Sequence, residues 1–378
     1  MDKLRVAVIG SGTIANAAHI PAWRDQPGVE LVGVADSVIE NAASTARRHG
    51  IPYACDDVAS MLAEVRPGAV SVCSPAHCHK DHAIAALRAG AHVLCEKPLA
   101  LDAGEAAEMY REAEAAGRLL LAGQSMRFYN QIAAAREFVA QGQVGEIYYA
   151  DAARLRRRGV PVHGTFHLKA LSRGGVLYDL GAHVLDTLLW IMGNPAVVAA
   201  SGVTYTKLAN REEGLITSLA DSGAPVGVFA ARTYSPREFD VEDLAAAFLR
   251  LENGATITIR VSWAANVPES AGGISIMGTE GGLWFNPQVM DLRLVRNMGC
   301  YQVDVTPKLP PRVPDHAFYA HWKEIAHFIR AIRGEEELCV KKEEVLNAIR
   351  ALEAIYASAA QGSEVRLEAA REARGGAE

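Results

Sequence analysis

A glutamate and a lysine stand side by side after an apolar run, in the stretch AHVLCEKPLA. The run AHVL is typical of a buried strand, which puts Glu96 and Lys97 at its carboxyl end. A buried lysine costs free energy unless it is paired or used, and Pro98 keeps Lys97 out of the helical region. An ammonium there could stabilise a developing alkoxide, with Glu96 contacting a cofactor or orienting the lysine. The alternative is a surface lysine before a turn.

A glycine-rich loop joins the first predicted strand to a helix, in the stretch VAVIGSGTIA. Its residues Gly10, Gly12 and Ala15 fit the G-x-G-x-x-G/A pattern in the context that this pattern requires. Gly10 permits the tight turn, and Gly12 lets backbone N–H groups approach a pyrophosphate at the helix N-terminus. The loop therefore predicts dinucleotide binding through Gly10, Gly12, Thr13 and Ile14, and the alternative is a glycine turn without a ligand.

An aspartate ends the next predicted strand, VELVGVAD, about 20 residues beyond the loop, where dinucleotide-binding folds place an acidic residue. The carboxylate of Asp36 can accept hydrogen bonds from a ribose diol, and it repels a 2′-phosphate. NAD is therefore favoured over NADP. Arg47 and Arg48 lie too far into the following helix to change this expectation.

Three polar residues recur along the apolar stretch GGVLYDLGAHVLDTLLWIMG, namely Asp179, His183 and Asp186. Their spacing of i, i+4 and i+7 puts them on one stripe of a helix, where polar side chains must be hydrogen-bonded or line a cavity. An imidazole titrates near neutrality, which suits removal of a proton from an alcohol. The alternative is a core histidine satisfied by the carboxylates, and Asp186 has the weaker claim because it can simply orient the helix or His183.

The stretch PAHCHKDH crowds three histidines and Cys78 together. Zinc ligands usually come as paired short spacings separated by a longer loop, and no second cluster is evident. We therefore predict no metal site.

The stretch RLRRRG is the only basic run in the chain. In a strand, Arg154 and Arg156 share a face and Arg157 points the other way. A solvated surface is the default interpretation, but arginine forks also suit polyhydroxyl, carboxylate or phosphate groups, so a sugar phosphate is possible. The loop-like segment that follows could supply one wall of a pocket, through His163, Phe166 and Lys169.

Length and composition bound the remaining possibilities. A chain of 378 residues suggests two domains, and a net charge of −6 with a pI near 6.1 argues against nucleic-acid or membrane-surface partners. No apolar run is long enough to span a membrane, and MDKLRVAVIG enters a strand without a cleavable signal. We expect a cytoplasmic protein in which Cys73 and Cys95 are reduced, buried thiols.

The pattern of predicted elements divides the chain. Over residues 1–125, strands alternate with helices, which predicts an α/β Rossmann fold with a doubly wound parallel sheet. Over residues 126–365 we predict an α+β domain with a large, mostly antiparallel open sheet, and residues 366–378 look like a tail. The long strands are EIYYADAARLRR, AVVAASGVTYTK, APVGVFAARTY and LAAAFLRLENGATITIRVSWA, the last with a hairpin at ENGA. Helices are expected over 180–193, 315–333 and 341–360.

Four stretches together resemble the Gfo/Idh/MocA oxidoreductases, named for glucose–fructose oxidoreductase and inositol dehydrogenase. They are GSGTIA, VCSPAHCHKDHAIAALRAGAHVLCEKPLAL, GQSMRFYN and GGVLYDLGAHVLDTLLWIMG, and the resemblance covers about residues 4–365. It implies that Lys97 lies between nicotinamide and substrate, with a cis bond before Pro98. It also implies that Asp179 and His183 flank the substrate, the histidine serving as acid and base.

The resemblance further implies that Ser74, Pro75 and His79 lie beside the cofactor. Gln124 and Arg127 are expected near the nicotinamide, and the alternative is that they belong to a domain hinge. Taken together, the predicted catalytic residues are Lys97, Asp179 and His183. The predicted cofactor-binding residues are Gly10, Gly12, Thr13, Ile14, Asp36, Ser74, Pro75, His79, Glu96, Lys97 and Gln124. The predicted substrate contacts are Lys97, Arg127, Arg156, His163, Asp179 and His183.

These expectations point to an oxidoreductase that transfers a hydride between NAD and a secondary hydroxyl of a sugar, sugar derivative or cyclitol such as inositol. One alternative is a glycosidase that keeps NAD tightly bound and acts by oxidation, elimination and reduction; another is a non-catalytic dinucleotide sensor. We also expect a homodimer or homotetramer packed through the second sheet. The reason is that alternating apolar residues suggest two buried faces, at Val228, Ala230, Ile257 and Ile259.

Overall fold

The computed structural model describes residues 3–161, 164–211, 235–268, 272–286, 291–312, 314 and 318–367. Its first part is a parallel sheet whose strands are β1 (Leu4–Ile9), β2 (Val29–Ala35), β3 (Tyr53–Cys55), β4 (Ala69–Val72), β5 (His92–Glu96) and β6 (Leu120–Gly123). They lie in the order β3-β2-β1-β4-β5-β6, and every pair is parallel. The strand order reverses between β1 and β4, and ligands of such sheets bind at this point, beyond the carboxyl ends of the strands.

Helices cover both faces of this sheet, as the alternating pattern predicts. They are α1 (Ile20–Arg24), α2 (Ile39–His49), α3 (Val58–Val65), α4 (His79–Arg88) and α5 (Ala103–Ala116), with a π-helical turn at Ala15–His19 and a 3₁₀ turn at Ala76–Cys78. Asp102 caps α5 as expected, accepting a hydrogen bond from the backbone N–H of Glu105 at 2.8 Å. Gly50 ends α2 in the left-handed conformation, with a φ of 69°.

The second part is built on a larger sheet. Its elements are α6 (Asn130–Ala140), β7 (Ile147–Leu155), α7 (Lys169–Ser172), α8 (Ala182–Ile191), β8 (Val197–Tyr205), β9 (Leu244–Leu251), β10 (Thr256–Ser262), β11 (Gly272–Gly278), β12 (Gly281–Asn286), β13 (Asp291–Met298), β14 (Tyr301–Val305), α9 (Tyr319–Ile332), α10 (Lys342–Gln361) and β15 (Val365–Arg366). There are 3₁₀ turns at Ser125–Phe128 and Pro236–Glu238 and a π-helical turn at Leu177–Gly181. The strand order is β14-β13-β12-β11-β7-β10-β9-β8-β15.

This second sheet is antiparallel except where β7 pairs with β10. The prediction of a Rossmann sheet followed by a mostly antiparallel open sheet is therefore confirmed. The hairpin at ENGA joins β9 to β10, and Gly254 supplies the positive φ of 86° that the turn needs. The predicted strand APVGVFAARTY, with Val228 and Ala230, lies outside the described residues.

The structure differs from two predictions, one about the two faces of the second sheet and one about where the C-terminal tail begins. Ile257 and Ile259 both point into the core, whereas Thr256 and Thr258 on the opposite face are only half-buried, so one face of the sheet is open in the single chain. Arg366, which we assigned to the tail, pairs in β15 with Ala199 of β8 because the chain returns to the sheet edge.

Helix α10 connects the two cores. Its first half contributes Val345, Leu346 and Ile349 to the core of the parallel sheet, while Leu352 and Ile355 in its second half join the core of the larger sheet. One continuous helix thus sets the position of one sheet against the other. Among the residues that the structure describes, none of the helices combines the length and apolar character needed to cross a membrane.

Candidate active site

One cavity of about 760 Å³ runs along the carboxyl ends of the parallel strands and continues between the two sheets. At one end it is lined by Asp36 and Asp56, and at the other by His183 and Phe285. Thirteen of the predicted site residues line it, namely Gly10, Gly12, Thr13, Ile14, Asp36, Ser74, Pro75, His79, Glu96, Lys97, Arg156, Asp179 and His183. The fold therefore brings residues from both parts of the chain to a single elongated site.

The glycine loop has the shape that a bound pyrophosphate needs. Gly10 has a φ of 88°, and a Cβ on it would lie 2.6 Å from the backbone nitrogen of Ser74, so only glycine fits. A Cβ on Gly12 would meet nothing within 4 Å, which leaves open space beside the loop backbone. Asn16 holds the loop by donating from Nδ2 to the carbonyl oxygen of Ser11 at 2.7 Å. These features fit a dinucleotide at the start of the helix.

The Asp36 end of the cavity is acidic. Asp36 accepts hydrogen bonds from the backbone N–H and the hydroxyl of Ser11, both at 2.8 Å, which fixes its carboxylate at the end of β2. Asp56 lies nearby in the lining, and no arginine of the parallel-sheet part lines the cavity among the described residues. A ribose diol fits this end, whereas a 2′-phosphate would meet only negative charge.

Lys97 and Asp179 form an ion pair across the cavity, between the end of β5 and the π-helical turn before α8. Lys97 Nζ donates to Asp179 Oδ1 at 2.9 Å and to the Asp179 backbone oxygen at 3.1 Å. Trp263 Nε1 donates to the other carboxylate oxygen at 2.9 Å. The third ammonium hydrogen of Lys97 has no acceptor among the described residues and is free for a ligand in the cavity.

The charges around Asp179 keep it ionised. Burial by itself would raise the pKa of Asp179, but the positive charges of Lys97 and Arg156 and the hydrogen bonds from Lys97 and Trp263 hold this pKa well below its usual range. The Lys97–Asp179 pair is thus a charged pair at neutral pH. The peptide bond between Lys97 and Pro98 is cis, as the family resemblance implies.

His183 is a neutral base in this setting. Burial, and then the positive charges of Lys97 and Arg154, hold the pKa of His183 well below its usual value, so its imidazole is uncharged at neutral pH. Its Nδ1 is buried and has no hydrogen-bond partner among the described residues. An imidazole that carries an unused nitrogen in a ligand cavity can take a proton from a substrate.

A buried carboxylate holds the start of the segment that carries Asp179 and His183. Glu242 accepts hydrogen bonds from the backbone N–H groups of Gly175 at 3.0 Å and Leu177 at 2.9 Å. Gly175 must be glycine here, since its Cβ would lie 2.1 Å from the Glu242 backbone oxygen. The π-helical turn Leu177–Gly181 follows at once, and such turns are frequent at functional sites.

Glu96 is held by a buried hydrogen-bond chain. Trp23 Nε1 donates to Ser71 Oγ at 2.7 Å, which leaves the Ser71 hydroxyl hydrogen for His19 Nδ1 at 3.1 Å. His19 Nε2 then donates to Glu96 Oε1 at 2.9 Å. Burial opposes ionisation of Glu96, but the hydrogen bond from His19 and the charges of His19, His321 and Lys97 together outweigh it, and the pKa of Glu96 is about 2. Since Glu96 Oε2 accepts from the Lys97 backbone N–H at 3.1 Å, this chain fixes the lysine.

Family models match both halves of the chain. Residues 4–124 match the description "Oxidoreductase family, NAD-binding Rossmann fold", and residues 136–367 match "Oxidoreductase family, C-terminal alpha/beta domain". The chain belongs to the Gfo/Idh/MocA oxidoreductase family. The prediction of the family is therefore confirmed, and residues 4–124, which include the glycine loop, form its NAD-binding Rossmann fold.

Relatives within the Gfo/Idh/MocA family cover from about three quarters to nearly all of the chain. D-glucoside 3-dehydrogenase of Escherichia coli K12 is 32% identical over 97% of this chain and 98% of that protein. Levoglucosan dehydrogenase of Pseudarthrobacter phenanthrenivorans is 27% identical over 77% of this chain and 75% of that protein. A structure titled levoglucosan dehydrogenase in complex with NADH and levoglucosan has a TM-score of 0.82 at 23% identity, covering 97% of this chain and 100% of that chain, and it supports the fold.

Arg127 and Gln124 do not line the cavity of this family member. Arg127 was expected to contact substrate, but its guanidinium makes two hydrogen bonds to Asp186, at 2.6 and 2.9 Å, and a third contact to Glu344. It is therefore a buried structural arginine, and Asp186 is its partner rather than a partner of His183. Gln124 is buried at the end of β6, beyond the cavity wall.

The structure sorts the remaining candidates plainly. Arg156 and Phe166 line the cavity, Lys169 does not, and His163 lies outside the described residues. His79 joins two loops, with its ring nitrogens 2.8 Å from the Pro98 oxygen and 2.7 Å from the Ser74 oxygen. His79, one of the three histidines that we weighed as metal ligands, thus holds the turn that carries Lys97.

The sequence reasoning missed His321, which lines the cavity, and it missed Trp263 and His19, which hydrogen-bond to lining carboxylates. Trp263 comes directly after β10, and His321 comes from α9, far along the chain from the other site residues. No local motif marks either one. His19 lies in the helix that the glycine loop opens, so a search of that helix for polar residues would have found it.

Proposed function

We propose that this chain is an NAD-dependent dehydrogenase that oxidises a secondary hydroxyl of a sugar, sugar derivative or cyclitol. The observation that carries the proposal is that Lys97, Asp179 and the neutral His183 line the same cavity as the glycine loop and Asp36. Family relatives named D-glucoside 3-dehydrogenase and levoglucosan dehydrogenase support a sugar substrate. Arg127 and Gln124 have no part in this proposal, because neither lines the cavity.

Each site residue has a separate role in the proposed reaction. Bound NAD⁺ supplies the hydride acceptor. His183 removes the proton of the substrate hydroxyl, and the free N–H of Lys97 donates a hydrogen bond to that oxygen as negative charge develops on it. Asp179 holds the ammonium in place, while Glu96 fixes the lysine backbone. Asp36 and the glycine loop hold the adenosine and pyrophosphate ends of the dinucleotide.

A substrate panel tests this function. The purified protein is given NAD⁺ with methyl glucosides, levoglucosan and inositols, and the absorbance of reduced nicotinamide is followed. A stoichiometric rise with at least one polyol is expected. Release of an aglycone without net NADH would instead show a glycosidase with retained NAD. Tight NAD binding with neither result would leave a dinucleotide sensor and overturn the proposal.

We also propose that the chain forms a homodimer or homotetramer through the open face of the second sheet. The exposed large apolar side chains that register places on this face are Val203, Tyr205, Met277 and Val295. Val203 lies beside Ala246 and Tyr205 beside Leu244, so apolar side chains of β8 and β9 adjoin there. Light scattering should give the mass of two or four chains, and Val203→Asp should lower it; a monomeric wild type would contradict this.

A further inference from the structure

Arg154 lies on the cavity wall close to the proposed catalytic base. It is near the end of β7, and alternation along this strand puts Arg154 and Arg156 on the cavity side. Alternation puts Arg157 on the opposite side of the chain, and this residue is exposed. The positive charge of Arg154 is one of those that lower the pKa of His183, so the guanidinium lies within electrostatic reach of that imidazole.

The guanidinium of Arg154 is poorly satisfied within the protein. Its one hydrogen bond among the described residues runs from Nη1 to the sulfur of Met126 at 3.8 Å, and a thioether is a weak acceptor. No described carboxylate lies within ion-pair distance of it, and the oxygens of Asp179 already accept from Lys97 and Trp263. An arginine carries five N–H donors, so most of the donors of Arg154 have no protein acceptor among the described residues and are available to a ligand in the cavity.

Arg127 shows what a satisfied guanidinium looks like in the same molecule. It is bonded by two carboxylates and a backbone oxygen, and it does not face the cavity. Arg154 lacks all of these contacts and faces the cavity. This fold can therefore supply a buried arginine with a full set of acceptors, and the lack of acceptors is particular to Arg154.

The charge balance at this end of the cavity is positive. Among the described residues that line this end, Lys97, Arg154 and Arg156 bring three positive charges, against two negative charges from Glu96 and Asp179. Burial and the neighbouring Arg156 both lower the pKa of Arg154, which means that the site would gain from a bound anion. A planar carboxylate matches the guanidinium fork with two parallel hydrogen bonds.

We propose that the substrate is an acidic sugar, with a carboxylate bound by Arg154 while its reacting hydroxyl lies between Lys97 and His183. The inference rests on the proposed function and deepens it by naming the class of sugar. It makes Arg154 the residue that selects this class.

A matched pair of substrates tests the preference in the wild-type enzyme. Methyl β-D-glucuronide and methyl β-D-glucoside differ only in whether C6 is a carboxylate or a hydroxymethyl group. With NAD⁺ present, kcat/KM for the glucuronide should exceed that for the glucoside by roughly 100-fold, since an unpaired polar site discriminates strongly against a ligand that cannot pair with it. Glucose 6-phosphate is the third substrate, and it should be used less well than the glucuronide.

Two variants assign the preference to one side chain. Arg154→Met should reduce the ratio of the two kcat/KM values to within a few-fold of one, mainly through a higher KM for the glucuronide. Arg157→Met removes an exposed arginine from the same basic run and should keep the wild-type ratio. NAD binding and thermal unfolding of each variant show whether it is folded.

The outcomes separate the two proposals. Equal use of both sugars by the wild type, a preference for the glucoside, or a preference for the phosphate over the glucuronide would overturn the acidic-sugar inference while leaving the dehydrogenase intact. An unchanged ratio in folded Arg154→Met would overturn the role of Arg154. If no polyol, acidic or neutral, yields NADH, the proposed function itself fails. The wild-type comparison decides the matter even if Arg154→Met does not fold.

Discussion

Two ion pairs take their aspartates from one helical segment of this protein, and the two pairs differ in how far they are exposed to the cavity. Asp179 pairs with Lys97, and Asp186, seven residues further along, pairs with Arg127. The side chains of the first pair are each 14% exposed, through the cavity, whereas those of the second are each 1% exposed. Every nitrogen of Arg127 has a protein acceptor, but Lys97 keeps one N–H for a ligand.

This contrast separates a functional pair from a structural one. In both pairs, a basic residue from the region 97–127 contacts an aspartate from the predicted polar stripe. The sequence alone therefore does not distinguish the two pairs. The decisive property is an unused donor that faces an open cavity. A pair that lacks it can hold the fold together but has no group left to contact a substrate.

The largest expected effect comes from Lys97→Met. Loss of the ammonium removes the hydrogen bond to the developing oxyanion, and kcat for sugar oxidation should fall by about 10⁴-fold. NAD affinity should change by only a few-fold, because the glycine loop and Asp36 are untouched. Stability should fall by about 1 kcal/mol, since water in the cavity can solvate Asp179. Steady-state rates, NAD titration and thermal unfolding together check this; a rate within ten-fold of wild type would remove Lys97 from the mechanism.

Arg127→Met should show the reverse pattern. It leaves Asp186 buried without a partner, so the free energy of unfolding should fall by about 3–5 kcal/mol, while kcat per folded molecule stays within a few-fold. The double variant Arg127→Met/Asp186→Leu removes both charges and should recover much of the loss. Denaturant unfolding measures all three proteins. If the single variant lost rate without losing stability, the distinction between the two pairs would collapse.

The smallest effect concerns Glu324, a third carboxyl group that belongs to neither pair. It is fully buried, and neither carboxyl oxygen has a hydrogen-bond partner among the described residues. Burial, followed by the charges of Glu96 and Asp186, raises the pKa of Glu324 well above its usual 4.5. The folded protein therefore holds this proton more tightly than the unfolded chain, so stability falls as pH rises from 4.5 towards the folded pKa.

Replacement by an isosteric amide tests this sign. Glu324→Gln should unfold at nearly the same temperature as wild type below pH 4.5, and its stability advantage over wild type should grow as the pH rises above 4.5. Thermal unfolding of both proteins across this range is the measurement. A difference that does not grow with pH would show that Glu324 is ionised in the folded state.

Local patterns were enough to predict much of the fold and the motif-bearing residues. The glycine loop, Asp36 and the strand that ends in Glu96 and Lys97 are read from short stretches, because strand alternation and backbone geometry act locally. Asp179 and His183 were also found, but the family resemblance was needed to favour a site over a satisfied core histidine.

Long-range pairing was beyond the reach of these patterns. Arg127 was assigned to the substrate because nothing near it in the chain shows that Glu344 of α10 would bind it. Asp186 was placed on the stripe of Asp179 and His183 by α-helical spacing, but the π-helical turn Leu177–Gly181 changes that angle. His321 reaches the cavity from α9, and only the packing of the two cores brings it there.

The central claim is that one ammonium and one imidazole act on the same hydroxyl. A crystal structure with NADH and a polyol identified by the substrate panel tests it most directly. The account predicts that Lys97 Nζ and a ring nitrogen of His183 both lie about 3 Å from one substrate hydroxyl, with its carbon facing nicotinamide C4. A polyol bound with that hydroxyl away from either side chain, or with its carbon turned from the nicotinamide, would contradict the account.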